Sequence, residues 1–372
     1  MKILMLVNWK VEYTDTVPEN KQPPDYFIKG KPYWFFRYFP NVDDIDVDVV
    51  DIRSFPWLER FEKNKIRFYI WQTLKCLPRL KKYDMVVSHG MQSGIVLCLW
   101  RRLFGKGKYK HVVFDIGAFN SAKESGRSLK LMQFASKSLD GVIYHTRSQK
   151  NYYEKCHPWL LDRSQYIPFG TDDVYFQEAG ISVHKEHPYI LCVGYHKRDW
   201  DTLLAAYKRM RKYSKETDAK LPVLRLIGKQ LAVTDENVEM LPVIPIQELI
   251  TQIQGALFCV LPLKSFRYSY GQMTLLQQMS LGKAVIAADV PSLEGYITDR
   301  ENGMLYEAEN EKQLAELMWE LVLTDGLREK LGNNAKQAVK EQWNERIMAV
   351  RISEFLSEIE KAGTEKSKIK KE

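Results

Sequence analysis

The chain has 372 residues, of which 45% are hydrophobic and 27% are charged, and its formal net charge is +8. This composition is typical of a soluble globular protein and excludes a wholly disordered one. The length suits two domains of roughly 150 to 200 residues. The five cysteines are far apart and show no Cys-x-x-Cys spacing, so they indicate neither a zinc site nor a disulfide framework.

No targeting or membrane-spanning segment is apparent from the sequence. The apolar run at the amino terminus, MKILMLV, is too short for the core of a signal peptide, and no run of about 18 apolar residues occurs. We therefore expect a cytoplasmic protein that is neither secreted by that route nor membrane-spanning.

Short apolar or β-branched runs alternate with longer helical patterns in the first half of the chain, which predicts a βαβ arrangement. Several runs lack polar alternation, as strands buried on both faces of a parallel sheet do. DIDVDVV does alternate, so we expect it nearer an edge. The predicted strands are KILMLV, DIDVDVV, YDMVVSH, HVVFDI, DGVIYH and QYIPFG.

The segment from Arg60 to Lys110 is strongly basic. It contains thirteen Lys and Arg and two acids, Glu62 and Asp84, a local excess of +11. Bulky apolar residues such as Trp71 and Phe104 lie between the cations. This pattern favours a site for an anionic membrane surface, because basic amphipathic helices with aromatic anchors lie in the headgroup region. The alternatives are a nucleic-acid site and a merely solvated basic face.

Two polar residues stand where predicted strands of the first half end. His89 closes YDMVVSH and precedes glycines, and Asp115 closes HVVFDI before Gly117. Ligands of open α/β sheets bind at the carboxyl ends of the strands, so both are candidates for ligand contact. The alternatives are a structural histidine and a turn or cap carboxylate. His145, in VIYHTRS, is a weaker candidate.

The strand and helix alternation weakens between residues 171 and 188 and restarts with YILCVG, which predicts a domain boundary. We expect domains at residues 1–175 and 176–340, followed at 341–372 by a helix that crosses back to the first domain and a basic tail. The predicted strands of the second domain are YILCVG, VLRLIG, VEMLPV, GALFCVLP, KAVIAA and GMLYEA, and the predicted helices are 199–215, 246–254, 273–281, 311–324 and 327–342.

The stretch YILCVGYHKRDW predicts an anion-binding turn. A strand ends at Gly194, and Lys197 and Arg198 precede a helix. Arginine binds phosphate oxygens in bidentate fashion, and lysine acts as a point charge. Asp199 is the expected cap of the helix. VLRLIGKQ adds Lys229 at the end of another strand of the same sheet.

The stretch SYGQMTLLQQM predicts a second anion-binding turn. Gly271 permits a positive φ and a close approach of the backbone to a ligand, while Gln272 and Thr274 offer side-chain donors beside the unpaired N–H groups of a helix start. The positive end of the helix dipole favours a diphosphate there. The alternative is an ordinary capped turn. Together, the strand ends are predicted to converge on one anion.

These motifs carry a family resemblance. The order of YILCVG with nearby cations, LIGK, FRYSYGQMTLLQQMSLGKAVIAAD and ENGMLYEAENEKQLAELMWEL resembles the second domain of retaining GT-B glycosyltransferases, in particular family 4. VIYHTRSQKNYYEK and SQYIPFGTDDVYF are similar to the end of that family's first domain. The resemblance implies an α/β protein with two Rossmann-like, doubly wound parallel-sheet domains facing a central cleft.

The resemblance also implies a nucleotide-sugar donor held mainly by the second domain, an acceptor held by the first, and no metal. The family's two glutamates fall on Ser269 and Gln277, its phosphate-binding arginine on Tyr195, and its lysine on Arg198. Asp115, His89 and Arg198 are the implied catalytic candidates. The implied donor-binding residues are Gly194, Lys197, Arg198, Lys229, Arg267, Ser269, Tyr270, Gly271, Gln272, Met273, Thr274 and Gln277.

The expected function is that of a glycosyltransferase of the hexosyltransferase type. It would move a sugar from a nucleoside diphosphate sugar to a lipid-linked or polysaccharide acceptor in cell-envelope or exopolysaccharide synthesis, on the inner face of the plasma membrane. A nucleotide-sugar epimerase of the same fold and a non-catalytic nucleotide-sugar-binding subunit are the alternatives. A nicotinamide-dependent dehydrogenase is disfavoured, since no Gly-x-Gly-x-x-Gly follows the first strand.

Overall fold

The computed structural model describes residues 1–178, 188–194, 197–228, 231 and 235–369, with the backbone alone at residues 120, 121 and 363–369. The chain forms two compact units. Unit 1 contains Met1–Pro168, the short segment Arg267–Ser269 and the chain from Arg346 onward. Unit 2 contains Phe169–Phe266 and Tyr270–Glu345. The divisions after Pro168 and Glu345 differ by seven and five residues from the predicted boundaries after residues 175 and 340.

Unit 1 is built on a parallel sheet. Its strands are β1 (Lys2–Leu6), β2 (Glu12–Thr14), β3 (Tyr26–Ile28), β4 (Asp46–Val50), β5 (Met85–His89), β6 (Lys110–Asp115), β7 (Gly141–Tyr144) and β8 (Ser164–Tyr166). The six-stranded sheet has the order β4-β1-β5-β6-β7-β8, and β2 and β3 pair separately. The strand with alternating polarity, β4, lies at an edge as predicted, with its first residue exposed and its last two buried.

The helices of unit 1 are α1 (Pro56–Phe61), α2 (Ile70–Cys76), α3 (Met91–Phe104), α4 (Ala118–Ser121), α5 (Arg127–Ser136) and α6 (Ser148–Cys156). From β4 to β5, β6 and β7 the connections move across the sheet in one direction. Because such crossovers are right-handed, α2, α3 and α5 lie on one face of the sheet. Contacts of α3 with α2 and with α5 make them a continuous layer.

Unit 2 begins with α7 (Asp173–Glu178) and contains a second parallel sheet. Its strands are β9 (Tyr189–Gly194), β10 (Val223–Gly228), β11 (Val238–Leu241), β12 (Phe258–Leu261), β13 (Val285–Asp289) and β14 (Met304–Glu307). Their order is β11-β10-β9-β12-β13-β14. This is the order of dinucleotide-binding sheets, in which the direction of winding reverses between the first and fourth strands. The reversal therefore falls between β9 and β12.

Five helices of unit 2 agree with the predicted ones to within two residues at each end, whereas α7 was not predicted. The five are α8 (Trp200–Thr217), α9 (Ile246–Gly255), α10 (Gln272–Ser280), α11 (Glu311–Leu323) and α12 (Asp325–Gln342). Helix α10 packs on α12. The approach is close because Gly332 has no side chain: a Cβ built there would lie 2.1 Å from the carbonyl oxygen of Gly282.

The last helix, α13 (Glu345–Ile369), packs almost wholly within unit 1. Its residues Phe355 and Ile359 lie against β7 at Gly141, where a Cβ would come 2.3 Å from Ile359 Cδ1. The carboxyl-terminal end of the chain thus completes the core of the first unit. Within the described part of the chain, no helix is both long and apolar enough to cross a bilayer.

Candidate functional site

The predicted phosphate-binding turns meet at the reversal point of the second sheet. The chain leaving β9 and the chain leaving β12 run side by side: the backbone N–H of Asp199 donates to the carbonyl of Pro262 at 2.8 Å, and Arg198 forms a β-bridge with Leu263. Reversal points at the carboxyl ends of the strands are where open α/β sheets bind ligands. The geometry therefore places both turns at the expected ligand edge.

The guanidinium of Arg198 is the centre of this site. Its Nε donates to the carbonyl oxygen of Val193 at 2.9 Å, Nη1 to the hydroxyl of Tyr270 at 3.4 Å and Nη2 to Oγ1 of Thr274 at 3.1 Å. The side chain is buried. Three oxygens from three residues therefore fix the plane of the guanidinium before any ligand arrives.

Gly194 makes room for this arginine. Its φ is +145°, and a Cβ built there would lie 2.5 Å from the guanidinium atoms of Arg198. Any side chain at this position would therefore displace the arginine. The glycine at the end of β9 thus leaves space for the side chain of Arg198, a role that was not predicted from the sequence.

Lys197 supplies the second cation. Its Nζ lies 4.3 Å from the ring centre of Phe266 and 5.3 Å from that of Tyr270, within the range of cation–π attraction. Burial lowers the pKa of its ammonium group. The backbone of Lys197 has a φ of 58°, so the turn between β9 and α8 is left-handed at this residue.

The two helices that start at this edge are capped differently. At α8, the carboxylate of Asp199 accepts from the backbone N–H of Thr202 at 3.3 Å and from its Oγ1 at 2.6 Å. At α10, the cap residue is Gly271, which has no side chain to offer the first turn. Its φ of +89° and the 2.6 Å between a built Cβ and Leu263 Cδ1 require glycine. The start of α10 is thus the better anion site.

The other predicted donor residues on α10 differ from Thr274 in burial and in hydrogen bonding. Gln272 is buried, and its Nε2 donates to the carbonyl of Ser292 at 2.6 Å, so this amide serves the interior of unit 2. Met273 is exposed and Gln277 is largely buried. Gln278 is fully buried, and its amide meets no hydrogen-bonding partner among the described residues.

The remaining predicted donor residues group with unit 1 or fall outside what the structure describes. The side chain of Arg267 is 74% exposed, Ser269 is buried, and both group with unit 1. Lys229 and Tyr195 lie outside the described residues. The structure brings together Gly194, Lys197, Arg198, Tyr270, Gly271 and Thr274.

His89 lies at the corresponding reversal point of the first sheet, between β1 and β5. Its ring centre is 4.6 Å from that of Trp9, 5.5 Å from that of Trp34 and 5.9 Å from that of Phe114. Burial lowers its pKa to about 3, so the imidazole is neutral near pH 7. Its Nδ1 has no hydrogen-bonding partner among the described residues. The aromatic neighbours were not predicted.

Asp115 makes hydrogen bonds of the kind expected for a turn or cap carboxylate, which was the alternative prediction for this residue. Its Oδ1 accepts from the backbone N–H of Phe119 at 2.8 Å, and its Oδ2 accepts from the hydroxyl of Tyr153 at 2.6 Å. Both oxygens are thus engaged inside unit 1, and burial raises the carboxyl pKa to about 6. His145 is likewise buried, with Nδ1 2.7 Å from the carbonyl oxygen of Ile167.

Comparison with known proteins agrees with this architecture. Residues 187–324 match the family described as Glycosyl transferases group 1. Over 124 residues the chain is 32% identical to an uncharacterized glycosyltransferase of Methanocaldococcus jannaschii. That match covers 33% of this chain and 34% of the relative, so the chain spans about a third of the length of the curated relative it matches.

Solved structures resemble the whole chain in fold. Sucrose-phosphate synthase from Thermosynechococcus elongatus has a TM-score of 0.68 at 15% identity and covers 97% of this chain and 100% of its own. Anabaena Alr3699/HepE, in complex with UDP, has a TM-score of 0.64 at 13% identity and covers 96% and 100%. The chain therefore has the two-unit GT-B fold of these solved structures, and its residues 187–324 are similar to the glycosyl transferases group 1 family.

Proposed function

We propose that the protein transfers a sugar, with retention of configuration, from a nucleoside diphosphate sugar to a lipid-linked or polysaccharide acceptor in glycan synthesis. The observation that carries this proposal is the guanidinium of Arg198, fixed by Val193, Tyr270 and Thr274 beside the glycine-capped start of α10. The match of residues 187–324 to a glycosyltransferase family supports it. HepE, which shares the fold, was solved with UDP.

The donor diphosphate would lie between the first turn of α10 and the cations that follow β9. The helix start contributes roughly half a positive charge, and Lys197 and Arg198 contribute full charges. Charge-assisted bonds from a fixed guanidinium are about twice as strong as neutral ones. Because the arginine is already held, binding costs little side-chain entropy.

Electrostatic stabilisation of the departing diphosphate is the main catalytic contribution that this site offers. Negative charge grows on the diphosphate as its bond to the sugar breaks, and fixed donors aimed at that charge lower the barrier. In the proposed front-face reaction the diphosphate oxygen takes the proton of the acceptor hydroxyl. No protein base is then needed, which agrees with the engagement of both oxygens of Asp115 inside unit 1.

The phosphate assignment is tested by Arg198→Ala. A thermal-shift screen of nucleoside diphosphates and their sugars first identifies the ligand, since a ligand at about 100 times its Kd adds roughly 2.7 kcal/mol. Calorimetric titration should then show at least a ten-fold weaker Kd for Arg198→Ala. The control is Arg209→Ala, which removes an exposed arginine of α8 that pairs with Glu311. Unchanged affinity in the folded Arg198→Ala variant would overturn the assignment.

Thr274→Val tests the positioning of Arg198 without changing the charge of the site. It keeps the volume of the side chain but removes the oxygen that accepts from Nη2 of Arg198. The arginine then loses one of its three described bonds and is held less firmly. We expect a three- to ten-fold loss of affinity, smaller than that of Arg198→Ala, because a single hydrogen bond is worth about 1 kcal/mol. An equal loss in both variants would argue against a positioning role.

The site also supports a second candidate, a non-catalytic subunit that binds a nucleotide sugar. The residues at the two positions of the family's glutamates, Ser269 and Gln277, carry no carboxylate. Radiolabelled donor discriminates the candidates: transfer to an acceptor, or slow hydrolysis, supports the enzyme, whereas binding without turnover supports the subunit. Sugar isomerisation in the absence of any acceptor would instead identify an epimerase.

We propose that transfer needs no metal ion, because the cations and the helix start take over neutralisation of the diphosphate. Activity measured after treatment with a chelating agent should equal that of the untreated protein. A loss that Mg²⁺ restores would show that a metal bridges the diphosphate.

A further inference from the structure

An apolar and basic surface covers part of the outer side of the helix layer in unit 1. Trp100, Leu103 and Phe104 stand on the outward side of α3 and are 37%, 69% and 68% exposed, and Phe134 on α5 is 43% exposed. The rings of Trp100 and Phe104 are 4.2 Å apart. Helices α3 and α5 pack against each other.

Cations frame the apolar side chains. The guanidinium of Arg102 lies 4.9 Å from the ring centre of Phe134, and Lys108 is exposed in the loop that follows α3. We call Trp100, Arg102, Leu103, Phe104, Lys108 and Phe134 the α3 patch. Arg101 does not belong to it, because this arginine is buried and bonds to Asp140 at 2.7 Å.

Neither acid of this basic region belongs to the patch. Of the two acids between Arg60 and Lys110, a range that the structure describes throughout, Glu62 is buried and Asp84 accepts from the backbone N–H of Lys2 at 2.7 Å. A second copy of the patch would therefore bring like charges together. The partner that suits it is apolar and anionic at once.

A related cluster surrounds α1. Trp57 and Phe61 on this helix are 69% and 46% exposed, with Arg60 on the helix and the exposed Lys63 and Lys65 directly after it. The combination of exposed aromatic residues with lysine and arginine is thus repeated in the same unit.

We propose that unit 1 binds an anionic lipid bilayer through the α3 patch, with the cluster at α1 as a second contact. Leucine, phenylalanine and tryptophan enter the boundary between headgroups and acyl chains, while cations attract anionic headgroups. Nucleic acid suits the patch less well, because the patch has two cations beside four apolar side chains, whereas contacts of cations with phosphates dominate nucleic-acid affinity. The inference rests on unit 1 alone and stands whether or not the protein transfers sugar.

Flotation with vesicles tests the proposal. The full chain should float with vesicles of equimolar phosphatidylcholine and phosphatidylglycerol, and binding should weaken at high salt. Pure phosphatidylcholine should bind it at least ten-fold less. Absence of binding to the mixed vesicles, or equal binding to both kinds, would overturn the proposal.

Paired variants assign the binding to the patch. We expect at least a ten-fold loss of binding for Leu103→Ser combined with Phe104→Ser, and for Arg102→Glu combined with Lys108→Glu. The controls on unit 2, Val243→Ser and Lys212→Glu, alter exposed side chains and should bind as the parent does. All these side chains are exposed, so circular dichroism should show native folding. Equal loss in the controls would contradict the assignment.

Two further measurements separate the competing partners. Tryptophan fluorescence should be quenched by brominated lipid, and Trp100→Phe should reduce that quenching more than Trp319→Phe, which alters a buried side chain. Dimerisation that depends on Leu103 and Phe104, without lipid binding, would overturn the proposal in favour of a second copy. Tight binding of RNA that competes with vesicles would overturn it in favour of nucleic acid.

Discussion

Arg198 takes its orientation from residues that are distant in the sequence. Tyr270 and Thr274, which accept from its guanidinium, follow it by 72 and 76 residues. The sequence showed that a cation follows β9 and that a glycine turn opens α10, because both signals are local. It could not show that the two turns share hydrogen bonds, since that depends on β9 and β12 being neighbours in the sheet.

Gly194→Ala is predicted to damage the site and to strain the backbone where β9 ends, because Gly194 has a φ of +145°. The added Cβ would lie 2.5 Å from the guanidinium of Arg198 and would push it out of its position. We expect at least a ten-fold weaker Kd for the nucleoside diphosphate in calorimetric titration. Gly326→Ala is the control, because a Cβ at Gly326 meets nothing within 4 Å. Equal affinities in the two variants would show that the arginine adapts.

Sequence alone does not reveal which charged groups have partners inside the unit. Asp115 was a candidate ligand contact because it ends a strand, but Tyr153, 38 residues later, and the N–H of Phe119 engage its oxygens. Arg101 counted toward the basic segment, although Asp140 pairs with it inside the unit. In both cases the partner lies on another element, and a tally of charges along the chain does not include it.

His157 is predicted to weaken the protein in acid. It is fully buried among the rings of Phe119, Tyr152 and Trp159, and its ring nitrogens meet no partner among the described residues. Burial lowers its pKa to about 4. Because the unfolded chain takes up the proton first, the stability that depends on a neutral ring is present above about pH 6.5 and lost as the pH falls toward 4.

The corresponding experiment is His157→Phe, followed by chemical denaturation at pH 7 and pH 5. Between pH 7 and pH 5, the free energy of unfolding should fall by about 2 kcal/mol less in the variant than in the parent. His111→Phe is the contrasting variant and should lower the stability at pH 7. The ring of His111 bonds to Ser88 Oγ at 2.9 Å, and its removal leaves that hydroxyl without this partner. An identical pH dependence in parent and His157→Phe would contradict the prediction.

At the scale of elements, periodicity was sufficient for long helices and buried strands. The helices of unit 2 follow their predicted bounds closely, and the alternating strand lies at a sheet edge. The pair β2 and β3 was missed. Each has three residues and none of them is buried, so both are too short to show the alternation by which a strand is predicted.

Packing of α12 on the end of α10 gives a prediction for one position. Gly332→Ala would place a Cβ 2.1 Å from the carbonyl oxygen of Gly282, so α12 must move away from the turn after α10. Overpacking of this kind costs about 1–3 kcal/mol. Gly326→Ala, on the same helix with open space around it, should cost nothing. Thermal unfolding of both variants tests the pair, and equal melting temperatures would contradict close packing at Gly332.

The whole molecule should lose stability in mild acid through unit 1. Buried His89, His111 and His145 join His157 there, with pKa values that burial lowers to between about 3 and 4. At pH 5 each of these histidines lowers the free energy of unfolding by about 2 kcal/mol. The four together are comparable with a typical net stability of 5–15 kcal/mol. Burial raises the pKa of Asp115 to about 6, so its protonation offsets about 3 kcal/mol at most.

Tryptophan fluorescence against pH measures this whole-molecule effect. We expect cooperative unfolding between about pH 5 and pH 4, at a pH where exposed histidines alone would leave a protein folded. The transition should move to lower pH in His157→Phe. A protein that stays fully folded at pH 4 would show that the buried imidazoles gain their protons without opening unit 1.

The return of α13 to the first unit has a consequence for how the protein is made. Phe355 and Ile359 fill the space beside Gly141, but the ribosome adds them more than 200 residues later. At about 5–20 residues per second, the half-finished unit waits at least ten seconds with an apolar face uncovered. Unit 2 lies between those two segments in the sequence and can close first. The amino-terminal unit, although synthesised first, therefore reaches its native state last and depends most on chaperones during synthesis.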